Sequence, residues 1–138
     1  MGGSRVKEGN KFFEQSKPGA GIAAYTAILP QEGKNMRMMM KVSIPVETGN
    51  DVVRRGSLGS TIQKILAEMK PEAAYFAEDG GQRTGYIFFD MRDSSQLPAV
   101  AEPWFLALNA SLTVRPAMTP QDLGNATPAI QRAVENFG

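Results

Sequence analysis

The chain has 138 residues, a length that suits one domain, and its formal net charge is +1. It contains no histidine and no cysteine. This excludes disulfides and thiolate nucleophiles, and it removes the commonest metal ligand and the usual general base at neutral pH. We therefore expect no metal site and no cofactor. A charge this close to zero gives no electrostatic reason to expect nucleic acid or an anionic membrane as a partner.

The longest apolar run, Ile22 to Leu29, is far shorter than the ~20 residues that a membrane-spanning helix needs. The N-terminus also lacks the apolar core and cleavage site of a secretory signal. We expect a soluble, cytoplasmic protein with no membrane partner. Residues 1–35 are rich in glycine, lysine and polar side chains, a composition that buries little surface. They are predicted to form an N-terminal extension that is either flexible or in contact with a neighbouring subunit through 22–29.

The first regular pattern begins at Met36, where apolar residues alternate up to Ile44 as in a half-buried strand. An apolar stripe with helical spacing follows over 58–69, after a connector that has room for a short helical turn near 51–55. Residues 72–78 and 82–91 are two predicted strands around Asp79-Gly80-Gly81, a sequence typical of a tight hairpin. The second of these strands is apolar on both faces, which indicates a central position in the sheet.

A second helical stripe runs from Leu97 to Leu108, with Pro103 inside it, where we expect a kink or a break. Residues 111–116 form the last predicted strand. Thr119 followed by Pro120 indicates the start of a helix, and Ile130, Val134 and Phe137 mark a C-terminal amphipathic helix. Residues 36–138 therefore predict an α+β, ferredoxin-like βαββαβ domain with a four-stranded antiparallel sheet, followed by a C-terminal helix.

In this fold the helices cover one face of the sheet only. Alternation assigns the following side chains to the other face: Met39, Lys41, Ser43, Tyr75, Tyr86, Phe88, Asp90, Thr113 and Arg115. The assignment of Tyr75 is the least certain, because the register of its strand could also place Phe76 there. Such an apolar and aromatic patch is unusual on a monomer, so the sequence predicts a homodimer that buries it, with Met39 and Phe88 in the interface.

Several stretches resemble the dimeric α/β-barrel superfamily, in particular small bacterial proteins of the muconolactone-isomerase type and similar ones of unknown function. They are Met38-Met-Met-Lys-Val-Ser-Ile-Pro45, Tyr86-Ile-Phe-Phe-Asp-Met91 with Asp93-Ser-Ser-Gln-Leu97, Pro103-Trp-Phe105 and Leu112-Thr-Val-Arg-Pro116. The resemblance covers roughly residues 36–123. It implies a ferredoxin-like domain that dimerises through its sheet. No catalytic residue of that family maps onto a position of this chain, and histidine-dependent members do not serve as models.

Five side chains form the predicted ligand-binding set: Lys41, Tyr75, Tyr86, Asp90 and Arg115. Lys41 and Asp90 could form a pair with a pKa tuned for proton transfer, although a structural or interface ion pair is the simpler interpretation. Tyr75 and Tyr86 could bind a carbonyl or phenol, or could pack in an interface. Trp104 could close a pocket, but an anchor for its helix or a subunit contact is favoured.

The sequence favours a homo-oligomeric protein that binds a small apolar or aromatic molecule. One alternative is a cofactor-independent isomerase or monooxygenase-like enzyme that works in a barrel cavity. Another is a purely structural or assembly protein whose open face is used up by the interface. The stretch Arg83 to Phe89 faintly resembles the third strand of an RNA-recognition module, but the first strand has no aromatic partner for it.

Overall fold

The computed structural model describes residues 35–138. The predicted N-terminal extension, including the 22–29 segment, lies outside the described residues apart from Asn35. The described part contains these elements in chain order: β1 (Met36–Ile44), α1 (Val46–Arg54), α2 (Leu58–Met69), β2 (Ala73–Asp79), β3 (Gln82–Met91), α3 (Leu97–Leu108), β4 (Ser111–Pro116), α4 (Pro120–Asn125) and α5 (Thr127–Phe137).

The four strands form one antiparallel sheet in the order β2-β3-β1-β4. This is the ferredoxin-like βαββαβ arrangement that the element order predicts, and β3 is a central strand, as predicted. β1 pairs with β3 along its whole length, from Met36 opposite Met91 to Ile44 opposite Arg83. The hairpin between β2 and β3 turns at Gly80 and Gly81, which both have positive φ, the conformation that favours glycine at a tight turn.

The core lies between the sheet and helices α1 to α3. Alternate residues of β1 and β3, among them Met40, Val42 and Ile87, are fully buried against it, which confirms the alternation in the sequence. The stripe of α2 contributes Ile65. Because period-two alternation puts every second residue on the other face, the same register places the remaining side chains of these strands on the second face of the sheet.

Helix α1 is longer than the turn that the sequence indicates. Thr48, Gly49 and Asn50 are weak helix formers, but tertiary contacts stabilise the helix. Val52 is buried in the core, and a Cβ at position 49 would lie 2.6 Å from the guanidinium of Arg83. That guanidinium donates a hydrogen bond to the side chain of Asn50, at 3.1 Å.

Helix α3 continues from Leu97 to Leu108 without a break, with Pro103 inside it. The break that proline favours does not occur, because the residues around it are fixed in the core: Ala101 precedes it, and Trp104 and Leu108 follow it with no or almost no exposed surface. Trp104 is therefore an anchor for its own helix. The sequence left a subunit contact open as the second favoured role of Trp104, and a side chain without exposed surface in one chain fits the first role better.

Between Asn35 and Gly138, no helix combines the length and apolar character that crossing a membrane requires.

Candidate binding site on the open face of the sheet

The face of the sheet opposite helices α1 to α3 is here called the open face. The strand register places these side chains on it: Arg37, Met39, Lys41, Ser43, Ala73, Tyr75, Ala77, Asp79, Gln82, Thr84, Tyr86, Phe88, Asp90, Ser111, Thr113 and Arg115. Tyr75 stands directly opposite Tyr86, so of the two registers considered for β2, the one with Tyr75 on this face is correct. Phe76 is on the helix side, where its ring covers Gly85.

Apolar side chains occupy much of the open face. Met39 of β1 is the cross-strand neighbour of Phe88 on β3, and both are half-buried. Tyr75, on the edge strand β2, is 67% exposed. Cross-strand pairs of this kind pack against each other, but in the described part of the chain they keep contact with solvent.

A polar cluster lies among these side chains. The carboxylate of Asp79, at the end of β2, accepts a hydrogen bond from the hydroxyl of Tyr86 on β3. The same carboxylate oxygen, Oδ2, lies 3.0 Å from Nζ of Lys41 on β1. Lys41 stands directly opposite Tyr86, so its ammonium reaches over β3 to the next strand. Three strands thus contribute one side chain each to the Lys41–Asp79–Tyr86 cluster.

The net shift of each pKa in the cluster is away from neutrality. The hydrogen bonds from Tyr86 and Lys41, followed by the charge of Lys41, lower the pKa of Asp79. The hydrogen bond to Asp79, followed by its charge, raises the pKa of Lys41. The hydrogen bond to Asp79, with desolvation, raises the pKa of Tyr86. At neutral pH the cluster therefore holds a fixed ammonium, a fixed carboxylate and a neutral phenol.

Four of the five predicted binding residues belong to this cluster or lie close to it. Lys41 and Tyr86 belong to it, and Tyr75 is the neighbour of Tyr86. Arg115 stands opposite Met39 on β4, and its positive charge opposes only in small part the rise in the pKa of Lys41 that Asp79 causes. Lys41 and Arg115 are thus two cations on adjacent strands of the open face.

Asp90 is on the same face but away from the cluster. It stands opposite Arg37, four residues along β3 from Tyr86, which corresponds to ~13 Å of extended chain. The predicted pair of Lys41 with Asp90 is not formed, because Lys41 is paired with Asp79. At this end of the sheet Arg37 forms an ion pair with Glu72, at 2.8 Å.

Asp79 is the member of the cluster that the sequence analysis did not single out. It was interpreted only as part of the Asp79-Gly80-Gly81 turn. The signal was present, because alternation from Tyr75 along β2 places Ala77 and then Asp79 on the same face of the sheet.

Two adjoining grooves, of about 260 Å³ and 440 Å³, lie on the helix side of the domain, between α2 and α3, and share Ile65, Glu68 and Pro103 in their walls. Of the predicted binding residues, only Asp90 lines either of them. The Lys41–Asp79–Tyr86 cluster instead lies on a sheet surface, so a ligand there needs a cover to be enclosed.

Within residues 35–138, no three acidic side chains are grouped closely enough to hold a metal ion.

Comparison of the chain with protein-family models, with curated proteins and with solved structures finds no match. The resemblance to the dimeric α/β-barrel superfamily therefore depends on the sequence stretches quoted above and on the element order.

Proposed function

We propose that this protein is a homodimer that binds a small apolar or aromatic molecule on the open face, where a second copy covers the ligand. The observation that carries this proposal is the Lys41–Asp79–Tyr86 cluster among Met39, Tyr75 and Phe88. Binding sites combine apolar walls, which supply burial, with a few polar groups that fix orientation. The open face offers both.

The pKa directions favour binding over turnover. A general acid or base works best when its pKa lies near the working pH. In the cluster the pKa of Asp79 is lowered, and those of Lys41 and Tyr86 are raised. These groups are suited to hold a ligand by charge and hydrogen bonding, and poorly suited to exchange protons with it. This makes the isomerase-like or monooxygenase-like alternative less well supported.

The dimer supplies the cover that the site needs. Exposed apolar patches of this kind mark interaction surfaces, and the sheet is amphipathic, with charges around the apolar side chains. An assembly protein with no ligand would use the same apolar surface. The cluster argues against that second function, because removing even a paired ammonium and carboxylate from water costs free energy, which polar groups of a ligand would offset in part. A cytoplasmic location stays a prediction from the sequence.

A fragment screen by crystallography or by NMR, with small aromatic and apolar compounds, tests this proposal. Bound fragments are expected within hydrogen-bonding distance of Lys41 or Tyr86. The variants Lys41→Met and Tyr86→Phe should weaken binding, whereas the control Lys64→Met, in the wall of the groove between α2 and α3, should leave it unchanged. Fragments that bind only in the grooves between α2 and α3, with affinities unchanged by both cluster variants, would refute the assigned site.

A further inference from the structure

The C-terminal segment of the chain, comprising α4 and α5, carries an apolar stripe that its own domain does not cover. Leu123 on α4 and Ile130, Val134 and Phe137 on α5 are between 50% and 89% exposed. The three residues of α5 follow the i, i+4, i+7 spacing of one helix face. The charged residues of α5, Arg132 and Glu135, lie on the opposite face at 100° per residue.

Such a helix needs a surface to pack against. An isolated helix of 11 residues is marginal in water, and most helices of this length owe their stability to tertiary packing of the apolar face. No residue of α4 or α5 is buried in the described part of the chain. The sheet of the same chain therefore does not supply this surface.

The segment leaves the domain beside the open face. The backbone N–H of Ala117 donates to the carbonyl of Arg37, at 2.9 Å, and extends the pairing of β4 beyond its last residue. Thr119 and Asp122 then form a capping box that fixes the start of α4. The charge of Asp122 contributes to the raised pKa of Arg37, a residue on the open face. The C-terminal segment thus begins at the end of the open face where Arg37 lies.

The length of helix α5 is close to the width of the sheet. Helix α5 is ~16 Å long at 1.5 Å per residue, and a four-stranded sheet is ~14 Å wide between its outer strands. A helix laid across the sheet would place its apolar stripe over Met39, Phe88 and Tyr86 without bringing Arg132 or Glu135 into the contact. It would also increase the contact area toward the ~800 Å² per partner that stable interfaces bury.

We propose that α5 of each copy packs with its apolar stripe on the open face of the second copy, and so forms part of the wall of the ligand site. This inference rests on the proposed dimer. It adds that Ile130, Val134 and Phe137 come from the partner and face the Lys41–Asp79–Tyr86 cluster. The occupant of the open face is then a helix of a second copy together with the ligand.

The absence of cysteine from the chain allows a direct test with single thiols. One batch of the full chain carries Val134→Cys, and a second, isotope-labelled batch carries Tyr75→Cys on β2 or Thr113→Cys on β4. After subunit exchange, a short bis-maleimide should link labelled to unlabelled chains between position 134 and position 75 or 113. The matched control, Lys64→Cys on the helix side, should give no link above background.

A second measurement, the dimer dissociation constant, does not depend on the reach of a cross-linker. Val134→Glu should raise the dimer dissociation constant about 30-fold, the effect of losing a central interface side chain, whereas Arg132→Glu on the opposite helix face should change it about twofold or less.

The remaining outcomes distinguish a failure of the helix inference from a failure of the proposed dimer. If the chain stays dimeric but no link forms between chains and Val134→Glu is silent, the helix inference is wrong and the proposed function stands. In a chain that carries both Val134→Cys and Tyr75→Cys, links formed only within the chain would show that α5 folds on its own sheet, and would also overturn the inference. The same holds if a batch with Phe12→Cys links to position 75 and the batch with Val134→Cys does not. A monomer without any link would overturn both proposals.

Discussion

Lys41 and Asp79 form an ion pair that passes over a whole strand, with Nζ of Lys41 on β1 3.0 Å from Oδ2 of Asp79 on β2. The strand between them, β3, contributes the hydroxyl of Tyr86 to the same carboxylate. Only the open face allows this arrangement, because on the other face the corresponding positions are filled by core side chains such as Met40 and Ile87. The cluster therefore exists where the sheet is not covered by its own helices.

The Lys41–Asp79 pair should make stability depend on pH at the two extremes. Because the pKa of Asp79 is lowered by folding, its contribution is present above about pH 4 and is lost as the pH falls through the folded-state pKa. Because the pKa of Lys41 is raised, its contribution is complete below about pH 10 and is lost as the pH rises through the folded-state pKa. Thermal unfolding of Asp79→Asn and of the unaltered chain should differ most at neutral pH and least in strong acid. If the difference in melting temperature between the two proteins were the same at neutral pH and in strong acid, this prediction would be wrong. The control is Asp51→Asn, which removes the carboxylate of an exposed ion pair within α1.

Gly85 should not tolerate a larger side chain. A Cβ at this position would lie 2.9 Å from the ring of Phe76, so Gly85→Ala should destabilise the domain by about 1 kcal/mol through overpacking. Gly59, on the exposed surface of α2, has no atom within 4 Å of such a Cβ, and Gly59→Ala should stabilise the domain by about 0.5–1 kcal/mol through helix propensity. Chemical denaturation measures both. Equal effects of the two alanines would mean that Phe76 does not cover Gly85.

Phe88→Glu should dissociate the proposed dimer, because it places an unpaired charge in a desolvated contact. Analytical ultracentrifugation should give a dissociation constant raised by about 30-fold or more. Leu106→Glu is the matched control, since Leu106 is 82% exposed but lies in the groove between α2 and α3. If Leu106→Glu dissociates the protein and Phe88→Glu does not, the interface is on the helix side.

The capping box of α4 should control the order of the C-terminal segment. The hydroxyl of Thr119 accepts from the N–H of Asp122, at 3.0 Å, and the carboxylate of Asp122 accepts from the N–H of Thr119, at 2.9 Å. Thr119→Ala removes the first bond and should weaken α4 by about 1 kcal/mol. Amide hydrogen exchange should accelerate over 120–125 and leave β1 and β3 unchanged. Unaltered exchange in α4 would show that the box does not stabilise it.

The sheet could be predicted from the sequence because period-two alternation in β1 and β3 assigns each side chain to a face. That assignment brought Lys41, Tyr86, Phe88 and Arg115 onto one surface. The ion-pair partner of Lys41 could not be predicted, since alternation fixes the face on which a side chain lies but not which of two carboxylates it reaches. Asp90 and Asp79 are on the same face, and only the register of β2 and the length of the lysine side chain decide between them.

The helices show a different limit. The weak helix formers at 48–50 hid α1 from prediction, and Pro103 suggested a kink or a break in α3. Helix propensity is a local quantity, whereas α1 is stabilised by burial of Val52 in the core and α3 by burial of Trp104. The stripe of α5 was visible in the sequence. That it would remain uncovered could not be predicted, because a helical pattern identifies an apolar face without identifying what it contacts.

We propose that the open face is covered by a second copy of this chain. Static light scattering of the full, unaltered chain at micromolar concentration tests it most directly. We predict a single species with twice the 14.9 kDa mass of the chain, whereas a species with the mass of one chain at that concentration would contradict the account.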